Sequence, residues 1–192
     1  MKLQTMFAVA GAALFMALPA AALTTVYSTT LTGLGENPPN ASTATGMALV
    51  TVDDVANTMR VETSFAGLIG GNASAAHIHC CVAAPGNVGV ATGFPGFPAA
   101  ASGAYDHLFD MTSSAIYGAT FLANFGGGTA TGAFAALIGG LNSGMAYVNI
   151  HNATYPGGEI RGFLAPVPEP GTYALMLVGL GAIGLIARRR RR

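Results

Sequence analysis

The 192-residue sequence has no tryptophan, a single lysine and two cysteines, and charged side chains make up only 8% of it. Each scarcity excludes something. Cys80 and Cys81 are adjacent, so they cannot tie distant segments together, and disulfides do not hold this fold. In an oxidising compartment the pair has several chemistries open to it: a vicinal disulfide, free thiols, metal ligation or an intermolecular bridge. Basic residues are few and gathered at the ends. Lys2 and arginines 188–192 are terminal, and between residues 23 and 166 only Arg60 and Arg161 remain. Seven acids share that stretch (Glu36, Asp53, Asp54, Glu62, Asp106, Asp110 and Glu159), so two basic against seven acidic groups give it a net charge of −5. There is no basic patch, which excludes a nucleic-acid partner. Walker, Rossmann and Gly-x-Ser-x-Gly signatures are missing, and no Ser-His-Asp triad can be placed by spacing, so the reading is of a protein that is not an enzyme.

What is present begins with the two ends. Lys2 precedes an almost wholly apolar run over residues 3–18, Pro19 breaks it, and Ala20, Ala21 and Ala22 offer small residues for cleavage. That is the pattern of a secretory signal peptide over residues 1–22, read by the Sec machinery. At the other end Pro168, Glu169 and Pro170 precede an uncharged apolar segment, 172–187, and the arginine block 188–192. Sixteen apolar residues are slightly short of the ~20 of a comfortable transmembrane span, and the arginines would stay cytoplasmic, leaving the domain outside. A Pro-Glu-Pro motif, a span and a basic end in that order resemble the PEP-CTERM sorting signal of Gram-negative bacteria. The resemblance implies processing by an exosortase-type enzyme, transient inner-membrane anchoring, and delivery to the cell surface or an exopolysaccharide matrix, where a polysaccharide or matrix protein would be the partner.

Residues 23–165, about 140 in all, are enough for one core without staples. Residues 24–31 are rich in β-branched side chains and read as a strand. Residues 33–40, with Pro38 and Pro39, read as a loop. A hairpin is expected over 45–52 and 59–65, turning at Asp53, Asp54 and Asn57; Met59, Val61, Thr63 and Phe65 share one face of its second strand. Further strands are expected at 75–82, 105–111, 145–151 and 159–164, with a long loop at 85–98 and one or two helical turns within 113–124. Phe134, Leu137, Ile138 and Leu141 form an i, i+3, i+4, i+7 stripe, which predicts a helix capped by Thr131 and ended by Gly139 and Gly140. Pro156 and Gly157 suit the centre of a type II turn. The fold class that follows is mainly β: a Greek-key β-sandwich or barrel with one or two short inserted helices, flanked by the signal peptide and the C-terminal span.

The histidines are the most informative polar residues. His77 and His79 are two apart on a strand, so their rings share a face, and the alternation puts Cys81 there too, with Ala76, Ile78, Cys80 and Val82 opposite. His151 shares a face with Tyr147 and Asn149. Two imidazoles at that spacing with a third from another strand can reach one ion, copper or zinc. The candidate ligands are His77, His79 and His151, with Cys81 and His107 as additional ones. The alternative is structural: the same rings hydrogen-bond across strands and to Glu159 or Asp106. Glu159 and Arg161 read as a structural polar pair, and Arg60 as a solvated strand residue.

Four segments together carry a second resemblance: Ala76-His77-Ile78-His79, the run 105–110, the run 146–151, and Pro156-Gly157-Gly158-Glu159-Ile160-Arg161-Gly162. They resemble the CHRD domain of chordin and of many exported bacterial proteins, over about residues 24–165. The resemblance implies an extracellular β-rich module with no established enzymatic activity. The His-x-His strand with a later histidine also resembles, distantly, the copper site of copper/zinc superoxide dismutases. Here the Gly-Asp that follows the histidine pair and a zinc subsite are both missing, so dismutase activity does not carry over.

Overall fold

The computed structural model describes residues 24–168, together with 179–180, 183 and 188–189. The expected signal peptide, Glu169, Pro170 and most of the expected span lie outside the described residues. No helix among the described residues is long and apolar enough to cross a membrane.

Between residues 24 and 168, nine antiparallel strands form one curled sheet, a half-barrel with two short helices. They are β1 (Thr24–Thr32), β2 (Thr45–Asp53), β3 (Thr58–Ala66), β4 (Ala73–Cys80), β5 (Val90–Gly93), β6 (Gly103–Asp110), β7 (Ala146–Asn152), β8 (Ile160–Phe163) and β9 (Ala165–Pro166). The spatial order is β5-β4-β7-β8-β1-β2-β3-β6, with β9 added on β1. The strongest local signals hold. The β2–β3 hairpin is in full register from Thr45↔Ala66 to Asp53↔Thr58. Its turn is tied by Asp53, whose Oδ1 accepts from the amides of Val55 (3.0 Å) and Ala56 (2.7 Å). Asn57 takes φ 54°, a left-handed conformation that asparagine tolerates.

The inner face of the curl is the core. Val50, Val61, Ile78, Val148, Ile150 and Leu164 are essentially buried. After the short helix α1 (Ala119–Asn124), the helix α2 (Ala130–Asn142) caps it with Phe134, Leu137 and Leu141. Each fully buried leucine there contributes about 1.5–3 kcal/mol of transfer free energy. The two ends of the sheet meet through side chains and not through a hydrogen-bonded ladder. Phe94, just after β5, stacks on Tyr105 of β6 at 5.3 Å, and Phe97 stacks on Phe65 of β3 at 5.1 Å.

The structure corrects several expectations. The loop expected at 85–98 contains β5, whose four residues are too few to show an alternation. The cap of α2 is Thr129, whose Oγ1 accepts from Gly132 N at 3.1 Å, and the helix runs through Gly139 and Gly140. A Cβ at Gly140 would meet Cys80 Sγ and Cys81 Sγ, on which α2 packs. Pro156 and Gly157 do form the centre of a turn, with Gly158 N donating to Tyr155 O at 3.0 Å. It is not type II: the positive φ falls one residue later, at Gly158 (131°).

Candidate metal centre

Register brings the three histidines together. β4 pairs with β7 so that His77 faces Asn149, His79 faces Tyr147 and Ala75 faces His151. His77 and His151 are therefore diagonal neighbours on one face, a relation that long and aromatic side chains span. His77 Nδ1 lies 3.1 Å from His151 Nε2. One ring nitrogen from each of His77, His79 and His151 falls within 4.8 Å of the others. Cys81 is not with them. It follows β4, is disulfide-bonded to Cys80, and its Sγ faces the Ala136 carbonyl on α2. His107 is on β6, at the other edge of the sheet, with its ring 5.9 Å from Tyr105 and 4.5 Å from Phe109.

The outer nitrogens fix the tautomers. His79 Nδ1 is 2.8 Å from Val88 O, and His151 Nδ1 is 3.0 Å from Pro156 O. Carbonyls only accept, so Nδ1 carries the proton in both rings and each Nε2 holds a lone pair. His77 Nδ1 then donates to His151 Nε2. His79 Nε2 is buried without a hydrogen-bond partner, in a residue only 9% exposed. Such an orphaned group costs roughly 1–3 kcal/mol. Burial lowers the pKa of all three rings, to about 4 for His77 and His79, with the neighbouring histidines adding to the effect on His77. The cluster is accordingly neutral at pH 7. The structural alternative holds in part: the rings bond across strands, but to each other and to carbonyls. The side chains of Glu159 and Asp106 are taken elsewhere, the latter by Arg60 in a two-pronged pair at 2.8 and 2.6 Å.

Beside the histidines, on the same face of the sheet, lies a buried polar layer. Loops 33–42 and 83–89 cover the outer side of β7 and β8, so Asn149, Glu159 and Arg161 are at most 2% exposed. Arg161 donates to Gly35 O (2.8 Å), Pro85 O (3.0 Å), Gly86 O (3.4 Å) and Asn87 Oδ1 (2.6 Å). Its guanidinium sits 4.6 Å over Tyr147, whose ring also stacks on that of His79 at 4.7 Å. Glu159 accepts from Ser42 Oγ (2.6 Å), Ile69 N (2.7 Å), Gly70 N (3.1 Å) and Asn152 Nδ2. Arg161 and Glu159 are thus not a pair; each binds a different loop. Gly158 and Gly162 permit this. A Cβ at Gly158 would strike Asn149 and Glu36, and one at Gly162 would strike Thr30 O.

Glu36 completes the layer, accepting from Asn149 Nδ2 at 2.9 Å and lying 3.8 Å from Arg161 Nε. Burial raises its pKa to about 7 against the lowering pull of Arg161, Asn149 and the Asn37 amide. The folded state therefore binds this proton more tightly than the unfolded state, and the contribution is lost as pH rises from about 4.5 to 7. Glu36→Gln, which cannot titrate, is expected to gain roughly 2–3 kcal/mol relative to wild type between pH 4 and pH 8. Urea midpoints of both proteins at the two pH values check this; a pH-independent difference refutes it.

A curled β-domain that runs directly into a Pro-Glu-Pro segment defines an exported, tail-sorted β-module. Residues 27–164 match the CHRD domain and residues 166–192 match the PEP-CTERM protein-sorting motif. The chain belongs to the CHRD domain family, and it carries the signal for export and exosortase-type processing. No curated protein and no solved structure matches it.

Proposed function

We propose that this protein is a non-enzymatic module of the cell surface or exopolysaccharide matrix, exported through residues 1–22 and released from its tail by an exosortase-type enzyme. The observation that carries the reading is where the domain ends. β9 pairs with β1 through Tyr27↔Pro166 and Ser28↔Ala165, and Val167 N donates to Val26 O at 2.8 Å. The first and last strands of the domain therefore end side by side, and Val167 and Pro168 are exposed, which suits access by a processing enzyme. The domain's polar surface, sparse in charge, suits contact with uncharged polysaccharide. Among the described residues no serine, threonine or cysteine side chain hydrogen-bonds to the clustered histidines, so they do not form a hydrolase-type nucleophile–base pair.

A clean deletion strain tests this. Loss of matrix-bound polysaccharide, restored by the wild-type chain and not by one with Pro168, Glu169 and Pro170 replaced by alanine, is the expected result. Normal matrix retention in the deletion strain overturns the matrix role.

A further inference from the structure

We infer that His77, His79 and His151 form a binding site for one divalent zinc or copper ion, held by His79 Nε2, His151 Nε2 and a ring nitrogen of His77. This goes beyond the surface role and does not depend on it.

Three independent features point to an ion. The first is orientation. Val88 O and Pro156 O hold the Nδ1–H groups of His79 and His151, leaving both Nε2 lone pairs free. Fixing the outer nitrogen on a carbonyl is how proteins orient imidazole ligands and set their tautomer. The second is the unpartnered, buried Nε2 of His79. A cross-strand hydrogen-bond network accounts for His77 and His151 but gives this atom nothing; a cation supplies what it lacks. The third is spacing. Zinc–nitrogen bonds of ~2.0–2.1 Å in a tetrahedron set nitrogens about 3.3 Å apart. His77 and His151 already stand at 3.1 Å. All three donors lie within 4.8 Å, and closing the widest gap needs only small rotations of the two half-buried rings.

The donor set narrows the ion. The group contains imidazoles only, with no carboxylate, which excludes calcium and magnesium sites. Cys81 is in a disulfide, so no thiolate draws in monovalent copper. Neutral imidazoles suit divalent zinc and copper, and copper binds more tightly by the Irving–Williams order. In the metal-free protein the Nδ1–H of His77 bridges to His151. When the ion enters between the rings, that proton moves to His77 Nε2, so His77 stays neutral. Three protein ligands leave a fourth position for water or an external ligand. A cleft of about 610 Å³, walled by Phe94, Phe97, Phe109 and Tyr117, reaches His77 and gives small molecules access to that side.

The test uses the full-length chain, purified in detergent, treated with chelator and titrated calorimetrically with zinc and with copper(II). One equivalent of each is expected, copper the tighter. His79→Gln and His151→Asn are each expected to weaken binding by roughly 100-fold or more. Electron paramagnetic resonance of the copper form should carry hyperfine structure from three imidazole nitrogens, and lose one nitrogen in His151→Asn, whose circular dichroism and denaturant midpoint confirm that it is folded. Absence of saturable binding by either ion overturns the proposal. So does affinity unchanged in both variants.

Discussion

Arg161→Met lowers the unfolding free energy by roughly 3–5 kcal/mol, the expected cost of breaking a buried charged network by removing one partner. Four acceptors lose their donor at once: Gly35 O, Pro85 O, Gly86 O and Asn87 Oδ1. Methionine has similar length and fills the volume, so cavity formation is a minor part of the loss. Arg161→Lys is expected to recover only part of it, because one ammonium cannot reach acceptors on both Gly35 and the 85–87 loop. The effect extends to the histidines. Loop 83–89 carries Val88, whose carbonyl holds His79, and Tyr147 packs against both the Arg161 guanidinium and the His79 ring. Denaturant midpoints measure the first consequence. Hydrogen exchange at the Val88 amide, faster in Arg161→Met, measures the second. A loss below 1 kcal/mol would show that the loop is held without the arginine.

Glu159→Ala is expected to be as costly, roughly 3–5 kcal/mol, for the mirror-image reason. The carboxylate is fully buried and collects four donors, two of them backbone amides of the β3–β4 connection. Removing it orphans the amides of Ile69 and Gly70, the Ser42 hydroxyl and the Asn152 side chain. Glu159→Gln keeps the shape but turns an NH₂ toward amide donors, so about half of the loss should remain. Urea midpoints give the magnitude. Loss of exchange protection confined to Ile69 and Gly70 in Glu159→Gln would show that the carboxylate ties this connection. Unchanged protection there would refute the assignment.

Much of the fold is legible in local pattern. Strands that alternate over nine residues, such as β2 and β3, announce themselves, because one face meets the core and the other meets water. The stripe of α2 is legible for the same reason. Short or doubly buried elements are not. β5 has four residues, and β7 is buried on both faces, so its alternation of Tyr147, Asn149 and His151 with Ala146, Val148 and Ile150 wrongly suggests a wet side. The displaced helix cap has a simple cause: threonines stand at both 129 and 131, and only the chain's turn through Gly127 (φ 57°) and Gly128 (φ 77°) decides which hydroxyl meets a free amide.

The candidate site divides in the same way. Placing His77 and His79 on one face follows from a two-residue period and needs no tertiary information. Assigning Cys81 to that face fails because β4 ends at Cys80 and the chain turns toward α2. The sequence by itself determined the C-terminal sorting motif, the mainly β class and the family, because a sorting motif and strand periodicity are local properties. Only the tertiary structure decided that His151 lies diagonally from His77, that two carbonyls fix the ring tautomers, and that Arg161 and Glu159 serve separate loops. These depend on strand register and on loops folding back over the sheet, which are contacts between residues up to 126 positions apart that no local pattern encodes.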